Sequence, residues 1–182
     1  TATRREQSMQ DVSVAVTALT SDNIREAQIN SSADLVRLVP SLNLNKGSNP
    51  RQSSFTIRGI GTASFSTAVE PSISTMLDGV VLGRSGQAFM QMLDIERVEV
   101  LRGPQGTLFG KNSTGGVIHI ITRDPTEDHS GEVMASAISD DEYRGGLTVS
   151  GPITQSLGYR LTGSAGDTAG YTRNYYNGKD YN

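Results

Sequence analysis

The sequence predicts an α+β fold as far as Pro125 and plain antiparallel strands beyond it. Three observations carry that prediction. Twenty glycines against four phenylalanines and no tryptophan mean many turns and a modest aromatic core. Short alternating runs broken by two capped helical segments fill the first part of the chain. After Asp124-Pro125 only thin alternating runs remain, separated by polar turns.

The first run, residues 11–19, sets Val12, Val14 and Val16 against Ser13, Ala15 and Thr17, the pattern of a half-buried strand. Thr20, Ser21, Asp22 and Asn23 then offer capping oxygens and a negative charge to a short helix ending at Ala27. Ser31, Ser32, Ala33 and Asp34 open a second helix with Leu35, Leu38 and Val39 as its apolar side, and Pro40 ends it by withholding a backbone donor. Residues 52–60 form a strand with Phe55 and Ile57 on one face, stopping at Gly59-Ile60-Gly61 and opening into a Ser/Thr/Ala-rich loop up to Pro71. Asp78-Gly79, between Ile73-Ser74-Thr75-Met76-Leu77 and Val80-Val81-Leu82, is the strongest hairpin signal in the chain.

An irregular stretch at residues 83–87 leads into a small apolar segment, residues 88–93. Residues 95–102 alternate again, Val98 and Val100 against Arg97 and Glu99, before a turn at Gly103-Pro104-Gln105-Gly106. Residues 117–122 are an almost unbroken apolar strand, suited to the middle of a sheet. Past Pro125, residues 131–139, 143–150 and 158–167 alternate with little apolar content: Tyr159, Leu161, Gly163 and Ala165 face one way, Arg160, Thr162 and Ser164 the other. That pattern fits a barrel wall between lipid and a wet interior, and alternation alone also admits a small soluble sheet.

Charge and composition exclude several functions. Sixteen Lys and Arg against 19 Asp and Glu leave a net charge of -3, with no basic surplus to release counterions from a nucleic acid. Without cysteine there are no disulfides, thiol chemistry or cysteine-held metals. No apolar stretch reaches the roughly 20 residues of a membrane helix, which leaves barrel strands open. His119 and His129 are too few and too far apart for a histidine metal cluster, and both read as structural. Residues 106–111 miss the phosphate-loop spacing, with Gln105 where a glycine belongs and Asn112 in the place of the magnesium-binding hydroxyl. Ser85 lacks the glycine spacing of a nucleophile elbow. Asp140, Asp141 and Glu142 lack the length and glycine of a calcium loop and read as a solvated turn. Neither a cofactor, a resident metal nor a catalytic residue is expected.

One long ordered segment carries a resemblance. Asp94-Ile95-Glu96-Arg97-Val98-Glu99-Val100-Leu101-Arg102-Gly103-Pro104-Gln105-Gly106-Thr107-Leu108-Phe109-Gly110, followed by Gly115-Gly116-Val117-Ile118-His119-Ile120-Ile121-Thr122, closely resembles the signature of TonB-dependent transporter plugs. Ala33-Asp34-Leu35, Val39-Pro40-Ser41-Leu42, Phe55-Thr56-Ile57-Arg58-Gly59 and Leu77-Asp78-Gly79-Val80 precede it in family order.

The resemblance implies a plug domain over residues 1–125 with a mixed four-stranded sheet and short helices. Residues 126–182 would then be the first three or so strands of a 22-stranded β-barrel in the outer membrane of a Gram-negative bacterium. It further implies a scarce nutrient as substrate, a ferric siderophore above all. Its motive partner is TonB, with ExbB and ExbD, acting through a box at or before Thr1; residues 1–5 resemble the tail end of that region.

Arg58 and Arg102, each following a strand and preceding a glycine, are matched by the resemblance to arginines that pair with glutamates on the barrel wall, although ordinary surface arginines fit the same positions. Ligand-facing candidates lie in two irregular polar loops: Thr62, Ser64, Phe65, Ser66 and Glu70 in one, Arg84, Ser85 and Gln87 in the other. Three strands cannot close a barrel, so the chain is expected to be part of a longer one. A plug-like binding module without transport is the alternative reading.

Overall fold

The computed structural model describes residues 15–47, 52–62, 69–138 and 142–168, together with the backbone of residues 172–173 and 180–181. The chain divides into two compact units, Thr1–Arg123 and Asp124–Asn182.

The first unit is built on a mixed five-stranded sheet, one strand more than the resemblance implies. Its strands, with all strands numbered in chain order, are β1 (Val16–Thr20), β5 (Ile73–Leu77), β6 (Val80–Leu82), β7 (Ile95–Arg102) and β8 (Gly116–Thr122), in the order β1-β7-β8-β5-β6. β5 runs parallel to β8, and the other pairings are antiparallel. Edge strand β6 is the second arm of the Asp78-Gly79 hairpin. A smaller antiparallel sheet joins β2 (Leu42–Asn45), β3 (Ser54–Ile57) and β4 (Ile60–Gly61).

Local chemistry explains the connecting elements. Helix α1 (Ser21–Glu26) starts where Thr20 and Asn23 cap one another: Thr20 Oγ1 accepts from the Asn23 amide at 3.3 Å, and Asn23 Oδ1 accepts from the Thr20 amide at 3.1 Å. The expected second helix is instead a 3-10 helix, Ser32–Arg37. Its start is as predicted, with the Asp34 carboxylate accepting from the Ser31 amide at 2.8 Å and the Ser31 hydroxyl at 2.9 Å. Six residues pinned at one end by that cap take the tighter winding common in short connectors. A four-residue helix α2 (Gly106–Phe109) stands where only a turn is predicted, and it seats Phe109 in the interior.

The core covers one face of the large sheet. Leu19, Val98, Val100, Ile118 and Ile120 meet Ile24, Leu35, Val39, Leu42, Phe55 and Ile57 from the helical segments and the small sheet. Completely buried aliphatics such as Val98, Val100, Ile118 and Ile120 stabilise by about 1.5–3 kcal/mol each. Ser32, also fully buried, fastens the 3-10 helix to distant chain: its hydroxyl donates to the Ala88 carbonyl at 2.6 Å and accepts from the Met90 amide at 3.1 Å. On the opposite face Met76, Leu101, Phe109 and Val117 form a second, smaller cluster with Val16.

The second unit is an antiparallel sheet of β9 (Ser130–Ile138), β10 (Glu142–Thr154) and β11 (Leu157–Thr168), in the order β11-β10-β9. A two-stranded ribbon, β12 (Thr172–Arg173) with β13 (Asp180–Tyr181), completes the described chain. β10 continues through Pro152, which the sequence places in a turn. Its pairing with β9 ends at Ser150, and a bulge follows Pro152 on the β11 side, the edge-and-bulge setting in which a strand accepts proline. Residues 139–141, the centre of the predicted Asp140-Asp141-Glu142 turn, lie outside the described residues.

Candidate functional site

Three chain segments converge at the end of the large sheet where β5 and β8 begin and β7 finishes. The loop from Thr62 to Ser72 is closed at its neck by a small hydroxyl network. Thr62 Oγ1 accepts from the Ser72 amide at 2.8 Å and shares a 2.7 Å hydrogen bond with the Ser72 hydroxyl, while Ser54 donates to the Thr62 carbonyl at 2.7 Å. The Ser72 carbonyl in turn accepts from the Gly115 amide at 3.0 Å. Glu70 reaches across to Lys111, so the first loop is tied by an exposed ion pair to the segment that follows α2. Lys111 is absent from the sequence-based candidates because a partner 41 residues away along the chain has no signal in local pattern. Thr62 and Glu70 are thus placed at this end of the sheet, whereas Ser64, Phe65 and Ser66 lie outside the described residues.

The second predicted loop leaves β6 towards the same end, since Leu82 pairs with Thr75 while Ile73, two residues earlier, pairs with Gly116. Arg84 and Gln87 are exposed and belong to one tight turn: the Arg84 amide donates to Gln87 Oε1 at 3.1 Å, and the Gln87 amide donates to the Arg84 carbonyl at 3.0 Å. Ser85 differs from them, because its hydroxyl oxygen is buried with no hydrogen-bond partner among the described residues. A hydroxyl so placed is not presented to a ligand by this conformation.

Arg58 and Arg102 occupy contrasting positions around Gly115-Gly116. Arg58 is exposed in the β3–β4 turn at φ 51, followed by Gly59 at φ 78, and its amide donates to the Ser41 carbonyl at 2.9 Å. Arg102, the last residue of β7, is half-buried; one terminal nitrogen donates to the Thr17 hydroxyl, and its Nε is buried with no partner among the described residues. A guanidinium with part of its fork unused can still take a carboxylate.

Between them Gly115 is packed closely against isoleucine side chains, and glycine is required at Gly116. A Cβ on Gly115 would stand 2.6 Å from Ile73 Cδ1 and 2.9 Å from Ile60 Cγ2, and one on Gly116 would stand 2.4 Å from the Leu101 carbonyl oxygen. Both arginine turns therefore flank a closely packed seam, in which the backbone beside Gly116 leaves no room for a side chain.

The three-stranded sheet of the second unit is two-sided. By register Val133, Ala135, Tyr143, Leu147, Val149, Tyr159 and Leu161 share one face. Glu132, Ser136, Arg144, Thr148, Arg160 and Thr162 share the other with Met134 and Pro152, while Asp167 lies on the apolar side, and the Thr148 and Thr162 hydroxyls bond at 3.0 Å. Val133 is 80 % exposed and Leu161 66 %, an apolar face that water does not favour. No helix among the described residues is long and apolar enough to cross a membrane, which says nothing of strands. Nor is any group of three or more His, Cys, Asp or Glu among them placed to hold a metal ion.

The first unit is thus a mixed sheet packed by short helical segments around an arginine-flanked glycine seam, and the second is a two-sided antiparallel sheet. Residues 8–117 match the family described as the TonB-dependent Receptor Plug Domain. The pesticin receptor of Yersinia pestis is 34 % identical over 146 residues, covering 80 % of this chain and 21 % of that protein. The ferripyoverdine receptor of Pseudomonas aeruginosa is 31 % identical over 156 residues, covering 86 % of this chain and 18 % of that protein.

Among solved structures, the ferric yersiniabactin uptake receptor FyuA from Yersinia pestis superposes with a TM-score of 0.78 at 32 % identity, over 92 % of this chain and 26 % of its own. The outer-membrane ferripyoverdine receptor of Pseudomonas aeruginosa, bound to ferripyoverdine, gives 0.79 at 27 % identity, over 94 % and 22 %. This chain belongs to the TonB-dependent receptor plug family. It spans about a fifth of the length of these curated relatives, which are named as receptors rather than enzymes.

Proposed function

We propose that the chain is the plug, residues 1–125, and the opening barrel strands, residues 126–182, of an outer-membrane transporter in a Gram-negative bacterium. The plug occludes a barrel of 22 antiparallel strands, contributes to binding a ferric siderophore and is displaced by TonB for uptake. One observation carries this reading: a plug sheet is followed in the same chain by strands with an exposed apolar face and a polar face, as a wall between lipid and a wet interior requires.

In this assignment Arg58 and Arg102 meet glutamates of the barrel wall, and the unused Nε of Arg102 supports the role. The loops at Thr62–Glu70 and Arg84–Gln87, with Lys111 added, face the ligand from one end of the sheet. TonB, energised by ExbB and ExbD, pulls from a box at or before Thr1. The protein carries its substrate without converting it, so it is a receptor and not an enzyme.

Immunoblotting of fractionated source cells with an antibody to this chain tests the assignment. A heat-modifiable outer-membrane band several times heavier than the 19.4 kDa of this chain is expected. A soluble band near that mass would replace the transporter with a plug-like binding module.

A further inference from the structure

His119 is the one histidine of the plug sheet, and its setting is unusual for a side chain that titrates near neutrality. It stands in the middle of β8 with Glu99 of β7 and Met76 of β5 directly opposite, and it is only 9 % exposed. Its Nε2 accepts a hydrogen bond from the Gly79 amide at 3.2 Å. A ring nitrogen accepts only when it carries no proton, so the ring is neutral with its hydrogen on Nδ1. That Nδ1 is buried with no partner among the described residues.

The bond closes a fastening between the β5–β6 turn and β8. Asp78 and Gly79 take φ 47 and 83. The Asp78 amide donates to the Ile120 carbonyl at 3.0 Å, and its carboxylate accepts from the Thr122 amide at 2.8 Å and the Thr122 hydroxyl at 2.9 Å. The turn is therefore held by residues 119, 120 and 122 of one strand. Only the first of these attachments depends on a group that changes charge near neutral pH.

We propose that His119 is a proton-operated latch: neutral, it fixes the β5–β6 turn to β8, and protonated, it turns Nε2 from acceptor to donor, releases Gly79 and loosens edge strand β6. Because β6 runs directly into the Arg84–Gln87 turn, the release passes into a loop assigned above to the ligand-facing end.

The charges facing the ring from the described elements are Glu99 and Arg97 on β7 and Asp78 in the turn. Arg97 is itself held by Glu99 at 3.0 Å. Burial is the largest influence on His119 and holds its pKa below the ordinary imidazole value; the two carboxylates oppose that and Arg97 adds to it. A lowered folded pKa means that the latch is at full strength above the unfolded value of about 6.5 and is lost as pH falls through the folded value.

Hydrogen exchange on the full-length chain in detergent micelles, at pH 8 and pH 5 and corrected for intrinsic rates, reads the latch at the Gly79 amide. Protection is expected to be full at pH 8, to fall by about tenfold for each pH unit between the released-state value of about 6.5 and the folded pKa, and to be lost below it. In His119→Gln, whose side-chain carbonyl accepts at either pH, it should not change. Equal protection of wild type at the two pH values, or the same loss in His119→Gln, would overturn the proposal. Should that variant fail to fold, the nitrogen-15 shifts of the His119 ring in labelled wild-type protein decide. An Nδ1–H ring at pH 8 that titrates together with the Gly79 amide is expected; an Nε2–H ring at pH 8 excludes the latch.

Discussion

Replacing Gly116 by valine is expected to abolish the folded plug. Gly116 opens β8 at φ 151, a conformation that strains a β-branched residue. Any Cβ there would lie 2.4 Å from the Leu101 carbonyl oxygen and 2.7 Å from Ile57 Cδ1. The first of these is backbone of the central strand β7, which cannot move without breaking its register with both β1 and β8. Strain and overlap together should cost roughly 4 kcal/mol or more, a large part of the stability of a domain this size.

The control is Gly103→Ala. Gly103 has φ 90, but nothing lies within 4 Å of the added Cβ, so only the conformational term of about 1–2 kcal/mol applies. Limited proteolysis of the outer-membrane protein should therefore degrade the plug of Gly116→Val and spare that of Gly103→Ala. Equal resistance of the two variants would mean that the seam between the arginine turns is looser than the structure indicates.

Substituting arginine on the two sides of β10 should separate lipid from lumen. Leu147 lies near the middle of the strand, 52 % exposed on the apolar face, and Thr148 is its neighbour on the polar face beside Glu132 and Thr162. If the apolar face meets the hydrocarbon core, Leu147→Arg costs about 2–4 kcal/mol and lowers the yield of assembled barrel, while Thr148→Arg is tolerated. Outer-membrane abundance and heat-modifiability of the two variants give the answer. Equal assembly would favour a sheet wetted on both sides.

Much of this architecture is legible in the sequence where local chemistry alone decides the conformation. Asp78-Gly79 forms the predicted hairpin because two adjacent residues must take positive φ, and the Thr20 and Ser31 caps begin their helical segments as expected. The alternation of Tyr159 and Leu161 against Arg160 and Thr162 is the observed two-sidedness of β11.

What escapes local reading depends on partners distant in the chain. Leu42-Asn43-Leu44-Asn45 is too short to stand out as a strand and becomes one only against β3. Gly116 reads as a preface to the apolar run, and its necessity is visible only once Leu101 and Ile57 arrive beside it. Neither the Glu70–Lys111 pair nor the bond from Gly79 to His119 leaves a trace in periodicity, because each joins residues some 40 positions apart.

Uptake of iron-55 from a panel of ferric siderophores, in cells expressing the intact receptor with and without TonB, tests the central claim most directly. The proposed function predicts accumulation of at least one ferric siderophore that requires both the receptor and TonB, with surface binding retained when TonB is absent. Binding without accumulation in cells with functional TonB, or accumulation at the same rate without it, would contradict a plug displaced by TonB.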